Sequence, residues 1–114
     1  MSAPRSSADP SAPDSSSAQS TNPPPLKGIK VLELGTLIAG PYAASVLAQF
    51  GADVIKVEPP RTGDPLRKWR KLHEGTSLWW YSQSRNKQSL TLDLKSPEGQ
   101  QIVRELVKDA DIVI

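Results

Sequence analysis

Apolar residues beyond Pro25 fall into short blocks separated by glycine, proline and polar positions. The block Ile29–Leu34 (IKVLEL) is rich in β-formers and stops at Gly35, which predicts a short strand. The next segment has helical spacing between Pro41, which suits a first helical turn, and Gly51, which suits the residue after a helix. A second apolar strand, Asp53–Val57 (DVIKV), follows so closely that a parallel βαβ unit is expected.

The rest of the chain continues the alternation after a break. Glu58–Asp64 (EPPRTGD) predicts a loop, and Pro65–Arg85 predicts a partly helical excursion with a helix near Ser77–Gln83. Three further elements are predicted. A strand covers Ser89–Leu94, a helix begins after the N-cap Ser96, and a last strand covers Asp111–Ile114.

These elements predict an α/β fold, a Rossmann-like parallel sheet with flanking helices that is incomplete at its C-terminal side. Residues 1–25 consist almost entirely of Ser, Ala, Pro, Asp and Asn, so they offer little apolar surface to offset the entropy of ordering. We therefore expect a disordered segment at 1–25 and one domain at 26–114.

Composition excludes several classes of function. The 14 basic and 12 acidic residues are mixed along the chain, which gives no basic surface for nucleic acid. The chain has no cysteine and only one histidine, His73, so a metal site is not expected. No apolar run approaches the length of about 18 residues that suits a membrane span, and residues 1–25 lack the apolar stretch of a secretory signal, so neither feature is expected. A cytoplasmic protein is expected, with the mitochondrial matrix as the alternative.

The segment Leu34–Pro41 (LGTLIAGP) joins the first strand to the first helix through a glycine-containing turn. Ligands of parallel α/β sheets bind at the carboxyl ends of the strands, and free N–H groups at a helix start attract anions. Glycines that only permit a tight turn give the same pattern, so the turn alone leaves both interpretations open.

Three segments together resemble the amino-terminal part of the family III CoA-transferases, in matching order and spacing. They are VLELGTLIAGPYAASVLAQFGADVIKVEPP, TGDPLR and SRNKQSLTLDLKSPEGQQIVRELVKDADIVI, and the resemblance covers residues 26–114. It implies an enzyme that passes CoA from an acyl-CoA to a free carboxylic acid through mixed anhydrides and an aspartyl-CoA thioester. It also implies an interlocked homodimer at full length. The catalytic aspartate lies downstream of the matched region, so this stretch alone is expected to be inactive and no catalytic residue is assigned.

Position by position, the resemblance implies a coenzyme A site at three places. Ile38 and Ala39 occupy the first turn, and formyl-CoA transferase has a glutamine at the position of Ile38. Pro59 replaces an arginine that meets CoA after the second strand, and Arg61 is near enough to substitute for it. The third place is the stretch Leu92, Asp93, Leu94 and Lys95, where Lys95 suits a CoA phosphate. Two of these residues have an alternative interpretation without coenzyme A. In it, Ile38 belongs to the core and Lys95 is a solvated lysine at the surface.

Other interpretations remain open at this point. An α-methylacyl-CoA racemase belongs to the same family. Racemases tend to have a shorter link between the second and third strands, whereas this chain has the long segment Pro65–Arg85 there. A noncatalytic remnant that binds CoA or dimerises is a second alternative, and Trp79, Trp80 and Tyr81 suit a core or a subunit interface. An NAD-binding dehydrogenase is a remote third. Glu58 follows the first glycine turn at about the spacing of a carboxylate that binds a nucleotide ribose, but that turn lacks the middle glycine of the dinucleotide-binding motif. The closeness to the succinyl-CoA:glutarate branch suggests dicarboxylic acids as substrates.

Overall fold

A computed structural model describes residues 21–114 of the chain. In chain order its elements are β1 (Lys30–Glu33), α1 (Ala39–Gln49), β2 (Asp53–Glu58), a 3-10 turn (Pro65–Lys68), β3 (Leu72–His73), β4 (Thr76–Ser77), α2 (Leu78–Gln83), β5 (Lys87–Thr91), α3 (Pro97–Asp109) and β6 (Ile112–Val113). The predicted disordered segment 1–25 lies almost wholly outside the described residues and stays a prediction.

The central feature is a four-stranded parallel sheet in the order β5-β2-β1-β6. Lys30 of β1 pairs with Asp53 of β2, and Val54 of β2 pairs with Lys87 of β5. This confirms the predicted α/β fold with a parallel sheet and flanking helices. Because all four strands run the same way, their carboxyl ends meet at one edge of the sheet.

The helix α1 packs on one face of the sheet through small residues. Ala44 and Ala48 are buried against Val31 and Val54 of the two central strands. Alanine lets the helix approach the sheet closely, and the adjoining apolar surface is contributed by Leu47 and its neighbours. The helix begins at Ala39 rather than at the expected Pro41. Proline is tolerated there because the first N–H groups of a helix have no intrahelical partner.

The third strand of the sheet lies two to three residues before its predicted position. β5 covers Lys87–Thr91 instead of Ser89–Leu94, because the ladder with β2 ends at the pair Glu58 and Thr91. The N–H of Leu92 still donates to the carbonyl of Glu58 at 3.0 Å, and the chain then turns away. The predicted cap of α3 is present, since Ser96 Oγ accepts the N–H of Gly99 at 3.0 Å.

The excursion between β2 and β5 contains a short hairpin that the sequence pattern did not predict. Strands β3 and β4 have two residues each, too few for an alternating pattern, and Glu74 and Gly75 at the turn have positive φ angles. The predicted helix is present as α2, capped by Ser77. Trp79 and Tyr81 are 45% and 47% exposed, so they are not core residues of this part of the chain.

The second face of the sheet is only partly covered. On α3 the apolar residues Ile102 and Val107 remain exposed, and a groove of about 450 Å³ separates the helix from β1 and β2. Within residues 21–114 no helix has the length and apolar character needed to cross a membrane.

Candidate functional site

The residues that the resemblance implies for coenzyme A all follow the carboxyl ends of β1, β2 and β5. Ile38 and Ala39 lie at the start of α1, after β1, and Pro59 and Arg61 follow β2. The stretch 92–95 follows β5 directly. Ile38 is 44% exposed, which argues against the alternative that it is a core residue. The structure therefore brings the three places to one edge, and their contacts with CoA stay a prediction.

The turn between β1 and α1 depends on two glycines in close contact. A Cβ atom added to Gly35 would lie 2.8 Å from the Cα of Gly40, and one added to Gly40 would lie 2.7 Å from the Cα of Gly35. Between them Leu37 has a φ of 67°, an unusual conformation for a non-glycine residue. Ile38, the N-cap of α1, provides no side-chain hydrogen bond to the helix. The backbone at this helix start is thus left uncapped by a side chain.

Beneath this turn lies a group of four buried charged side chains, which we call the charge network: Glu33, Lys56, Asp64 and Lys87. Lys56 Nζ lies 2.8 Å from Glu33 Oε1 and 2.6 Å from Asp64 Oδ2, and Lys87 Nζ lies 2.9 Å from Glu33 Oε2. All four side chains are at most 3% exposed. Burial lowers the pKa of Lys87, and its contact with Glu33 opposes that shift. Two positive and two negative charges make the network neutral as a unit.

The charge network also holds the backbone of the turn. Lys56 Nζ donates to the carbonyl of Gly35 at 3.1 Å, and Lys87 Nζ donates to the carbonyl of Pro41 at 2.7 Å. Asp64 Oδ1 accepts the N–H of Leu37 at 3.0 Å. The same oxygen caps the 3-10 turn by accepting the N–H of Leu66 at 2.8 Å. The turn after β1 is therefore tied to the loop after β2.

A second buried carboxylate, Glu58, organises the loop after β2. Arg67 donates to both of its oxygens, at 2.7 Å and 2.8 Å, and the N–H of Asp64 and the hydroxyl of Ser89 each donate at 2.8 Å. Burial on its own raises the pKa of Glu58, but these hydrogen bonds outweigh it and lower the pKa to about 2. Glu58 is therefore a fixed anion at neutral pH. A side chain bound in this way is not available to a nucleotide ribose.

A recess of about 230 Å³ opens beside Glu58 at the carboxyl edge. Pro59, Arg61 and Thr62 line it from one side and Ser89 from the other. Arg61 and Lys95 form no ion pair within residues 21–114 and are exposed, so both cations are open to an external anion. The chemistry of these residues fits the phosphate groups of a nucleotide-containing coenzyme.

An apolar recess of about 40 Å³ lies on the other side of the turn. It is lined by Leu37, Ile38, Tyr42, Leu66, Trp79 and Gln83. Trp79 is held there by an edge-to-face contact with Trp69, with ring centroids 5.5 Å apart. The guanidinium of Arg67 stacks on Trp80 at 3.9 Å, which links the aromatic excursion to the Glu58 cluster.

Sequence reasoning missed the charge network and the Glu58 cluster. A usable signal is the lysine at the centre of the otherwise apolar strand DVIKV, because a charge in a buried strand requires a partner. Which residues supply the partners depends on the sheet register and on the path of the loop after β2. Within residues 21–114 no group of three or more potential metal-ligating side chains is present.

Comparisons with known proteins agree with this geometry. The model of CoA-transferase family III matches residues 26–114. The chain is 53% identical over 93 residues to a succinyl-CoA–D-citramalate CoA-transferase of Chloroflexus aurantiacus, a match covering 81% of the chain and 23% of that protein. It is 42% identical over 91 residues to the human succinyl-CoA:glutarate CoA-transferase, covering 79% of the chain and 21% of that protein.

A solved structure gives the same result for the fold. A CAIB/BAIF family protein from Brucella suis superposes with a TM-score of 0.71 at 41% identity, covering 81% of this chain and 25% of that one. The chain thus spans about a quarter or less of the length of the proteins that it matches. On the strength of the family match over residues 26–114, the chain belongs to CoA-transferase family III.

Proposed function

We propose that the protein carrying this chain transfers coenzyme A from an acyl-CoA to a free carboxylic acid, with a short dicarboxylic acid as acceptor. The observation that carries this proposal is the 53% identity to a succinyl-CoA–D-citramalate CoA-transferase. Relatives named for L-malate and glutarate are 46% and 42% identical, which also supports dicarboxylic acids.

The proposed reaction balances without an oxidant or a reductant. The C–S bond of the donor thioester breaks, and a new C–S bond forms at a carboxyl carbon of the acceptor. The released acid takes one oxygen from the enzyme's aspartate, and an oxygen of the acceptor carboxylate replaces it there. Because a thioester is replaced by a thioester, its activation is kept, provided that water is excluded from the acyl intermediate.

The residues described here would contribute substrate binding. Arg61 and Lys95 would meet phosphates of the coenzyme, and the turn at Ile38 and Ala39 would lie beside its acyl end. The catalytic aspartate that the resemblance implies would come from chain beyond the matched region. An interlocked homodimer and a cytoplasmic or mitochondrial location remain part of the proposal.

Mass spectrometry of the full-length protein tests the reaction class. With succinyl-CoA and a panel of carboxylic acids, we expect new acyl-CoA species together with stoichiometric succinate. Racemisation of a 2-methylacyl-CoA without exchange of CoA would instead identify a racemase and contradict the proposal. If none of the acids in the panel received CoA, that result would contradict the proposal as well.

Substitution of the two exposed cations tests the predicted coenzyme site. We expect Arg61→Ala and Lys95→Ala each to raise the dissociation constant of CoA about threefold to tenfold in 50 mM salt, because each removes a charge that meets a phosphate. The effect should shrink at 500 mM salt as screening increases. Calorimetric titration of the full-length protein measures it. Arg104→Ala, an exposed arginine on α3, is the matched control and should change little; equal effects in all three would reject the assignment.

A further inference from the structure

Leu37, in the turn after β1, has a backbone conformation that leucine rarely adopts. Its φ of 67° lies in the left-handed region, where the Cβ atom of a side chain crowds the following carbonyl oxygen. Such a residue persists only where the surrounding structure holds it, and residues of this kind cluster at sites that bind ligands. The exposed residues Ile38 and Ala39 follow directly, so the conformation of Leu37 sets the direction in which they leave the sheet.

A buried carboxylate holds Leu37 in this conformation. Asp64 Oδ1 accepts the N–H of Leu37 at 3.0 Å, and the side chain of Asp64 is 1% exposed. A hydrogen bond to an ionised acceptor is stronger than one between neutral groups, and burial keeps water from competing for it. Ile38, the next residue, contributes no side-chain hydrogen bond to the start of α1. The contact with Asp64 therefore fixes the backbone of the turn at its strained residue.

The carboxylate of Asp64 is itself fixed from several directions. Its Oδ2 lies 2.6 Å from Lys56 Nζ, its own N–H donates to Glu58 at 2.8 Å, and its Oδ1 also accepts the N–H of Leu66 at 2.8 Å. An acceptor held in this way does not follow a displaced N–H. Glu58 and Leu66 flank the loop that carries Arg61. Asp64 thus connects the loop proposed to meet the phosphates of CoA with the turn proposed to meet its acyl end.

We propose that Asp64 is a positioning residue for coenzyme A, which holds Leu37 in its left-handed conformation and so keeps Ile38 and Ala39 in the geometry that receives the coenzyme. This inference rests on the proposed CoA transfer and gives Asp64 a role in binding beyond its ion pair. Without the contact, the turn relaxes and CoA binds only the fraction of molecules in which the turn is still formed. The apparent dissociation constant then rises by the inverse of that fraction.

Paired substitutions in the full-length protein isolate the contact. Lys56→Met with Asp64→Asn and Lys56→Met with Asp64→Ser each remove one charge of each sign, which avoids an unpaired buried charge. The asparagine keeps an oxygen that reaches Leu37. The serine hydroxyl can cap the 3-10 turn, as Ser77 Oγ accepts the N–H of the second residue after it, but it is too short to reach Leu37.

Calorimetric titration with CoA compares these two variants after circular dichroism has established that both are folded. We expect the asparagine variant to bind CoA within about threefold of the unsubstituted protein. The serine variant should bind about fivefold to fiftyfold more weakly than the asparagine variant, because the strain at Leu37 is no longer opposed.

Alanine and glycine at position 37 separate positioning from general stability. Leu37→Ala and Leu37→Gly both remove the apolar side chain, but only glycine adopts positive φ angles without strain. With Asp64 present, their dissociation constants for CoA should agree within about twofold. In the serine variant, alanine should bind about threefold to twentyfold more weakly than glycine. The same exchange at Glu74, which has a φ of 49° in the exposed hairpin turn, is the control and should not change CoA binding.

Two results would overturn the inference. One is equal binding of CoA by the asparagine and serine variants, which would separate the turn from the coenzyme site. The other is an equal loss for alanine and glycine at position 37, which would assign the effect of Asp64 to its ion pair or to the 3-10 turn. Failure of the proposed function gives a different result, because the protein would then bind CoA in the manner described and transfer it to no acid.

Discussion

Replacement of Lys56 by methionine is expected to destabilise the protein by about 3–5 kcal/mol, the cost of removing one partner from a buried ion pair. Lys56 is 3% exposed and contacts Glu33, Asp64 and the carbonyl of Gly35. Its removal takes away the lysine that pairs with Asp64 and leaves Glu33 paired with Lys87. Chemical denaturation followed by circular dichroism measures the loss.

Lys30→Met is the matched control, because Lys30 lies on the neighbouring strand β1 with an exposed side chain and no ion pair within residues 21–114. We expect that substitution to change the free energy of unfolding by about 0.5 kcal/mol or less. If the two lysines gave equal changes, the charge network would not be a stabilising feature of the fold.

Acidification is expected to remove stability that Glu58 contributes. Its pKa in the folded chain is about 2 and its ordinary value is 4.5, so the contribution is complete above about pH 4.5 and is lost as the pH falls towards 2. The size is about 1–3 kcal/mol, reduced by solvent because the side chain of Arg67 is 36% exposed. Urea denaturation at a series of pH values from 6 to 2 measures it.

A neutral replacement separates Glu58 from the other acids. Glu58→Gln should destabilise the protein at neutral pH, because Arg67 loses its carboxylate, and should flatten the pH dependence between 4.5 and 2. Glu105→Gln, which removes an exposed carboxylate paired with Lys108 on α3, should leave both the stability and its pH dependence nearly unchanged. A pH dependence that persists in full in Glu58→Gln would assign the acid loss to other groups.

The elements that follow local rules could be predicted from the sequence. Ser96 caps α3 as expected, a helix forms near the predicted Ser77–Gln83, and the apolar blocks around Val31 and Val54 form adjacent parallel strands. The start of β5 could not be placed, because its ends are set by the ladder with β2 and not by its own composition. The β3–β4 hairpin was missed because two-residue strands carry no periodic signal.

The candidate site was predictable only in outline. The turn containing Ile38 and the loop containing Arg61 were placed correctly at the ends of β1 and β2, because parallel strands bring such turns to one edge. The ties between them depend on Asp64 reaching 27 residues back to the N–H of Leu37, a contact that no local pattern contains.

The neutrality of the charge network constrains how this part of the protein can change over generations. Loss of any one of these four side chains leaves an opposite charge buried without its partner. Each single substitution in the network is therefore expected to give a poorly folded variant. Exchange of a lysine and a carboxylate together for two apolar side chains avoids that intermediate. We therefore expect positions 33, 56, 64 and 87 to change together across related proteins, and the shape of the turn above them to change with them.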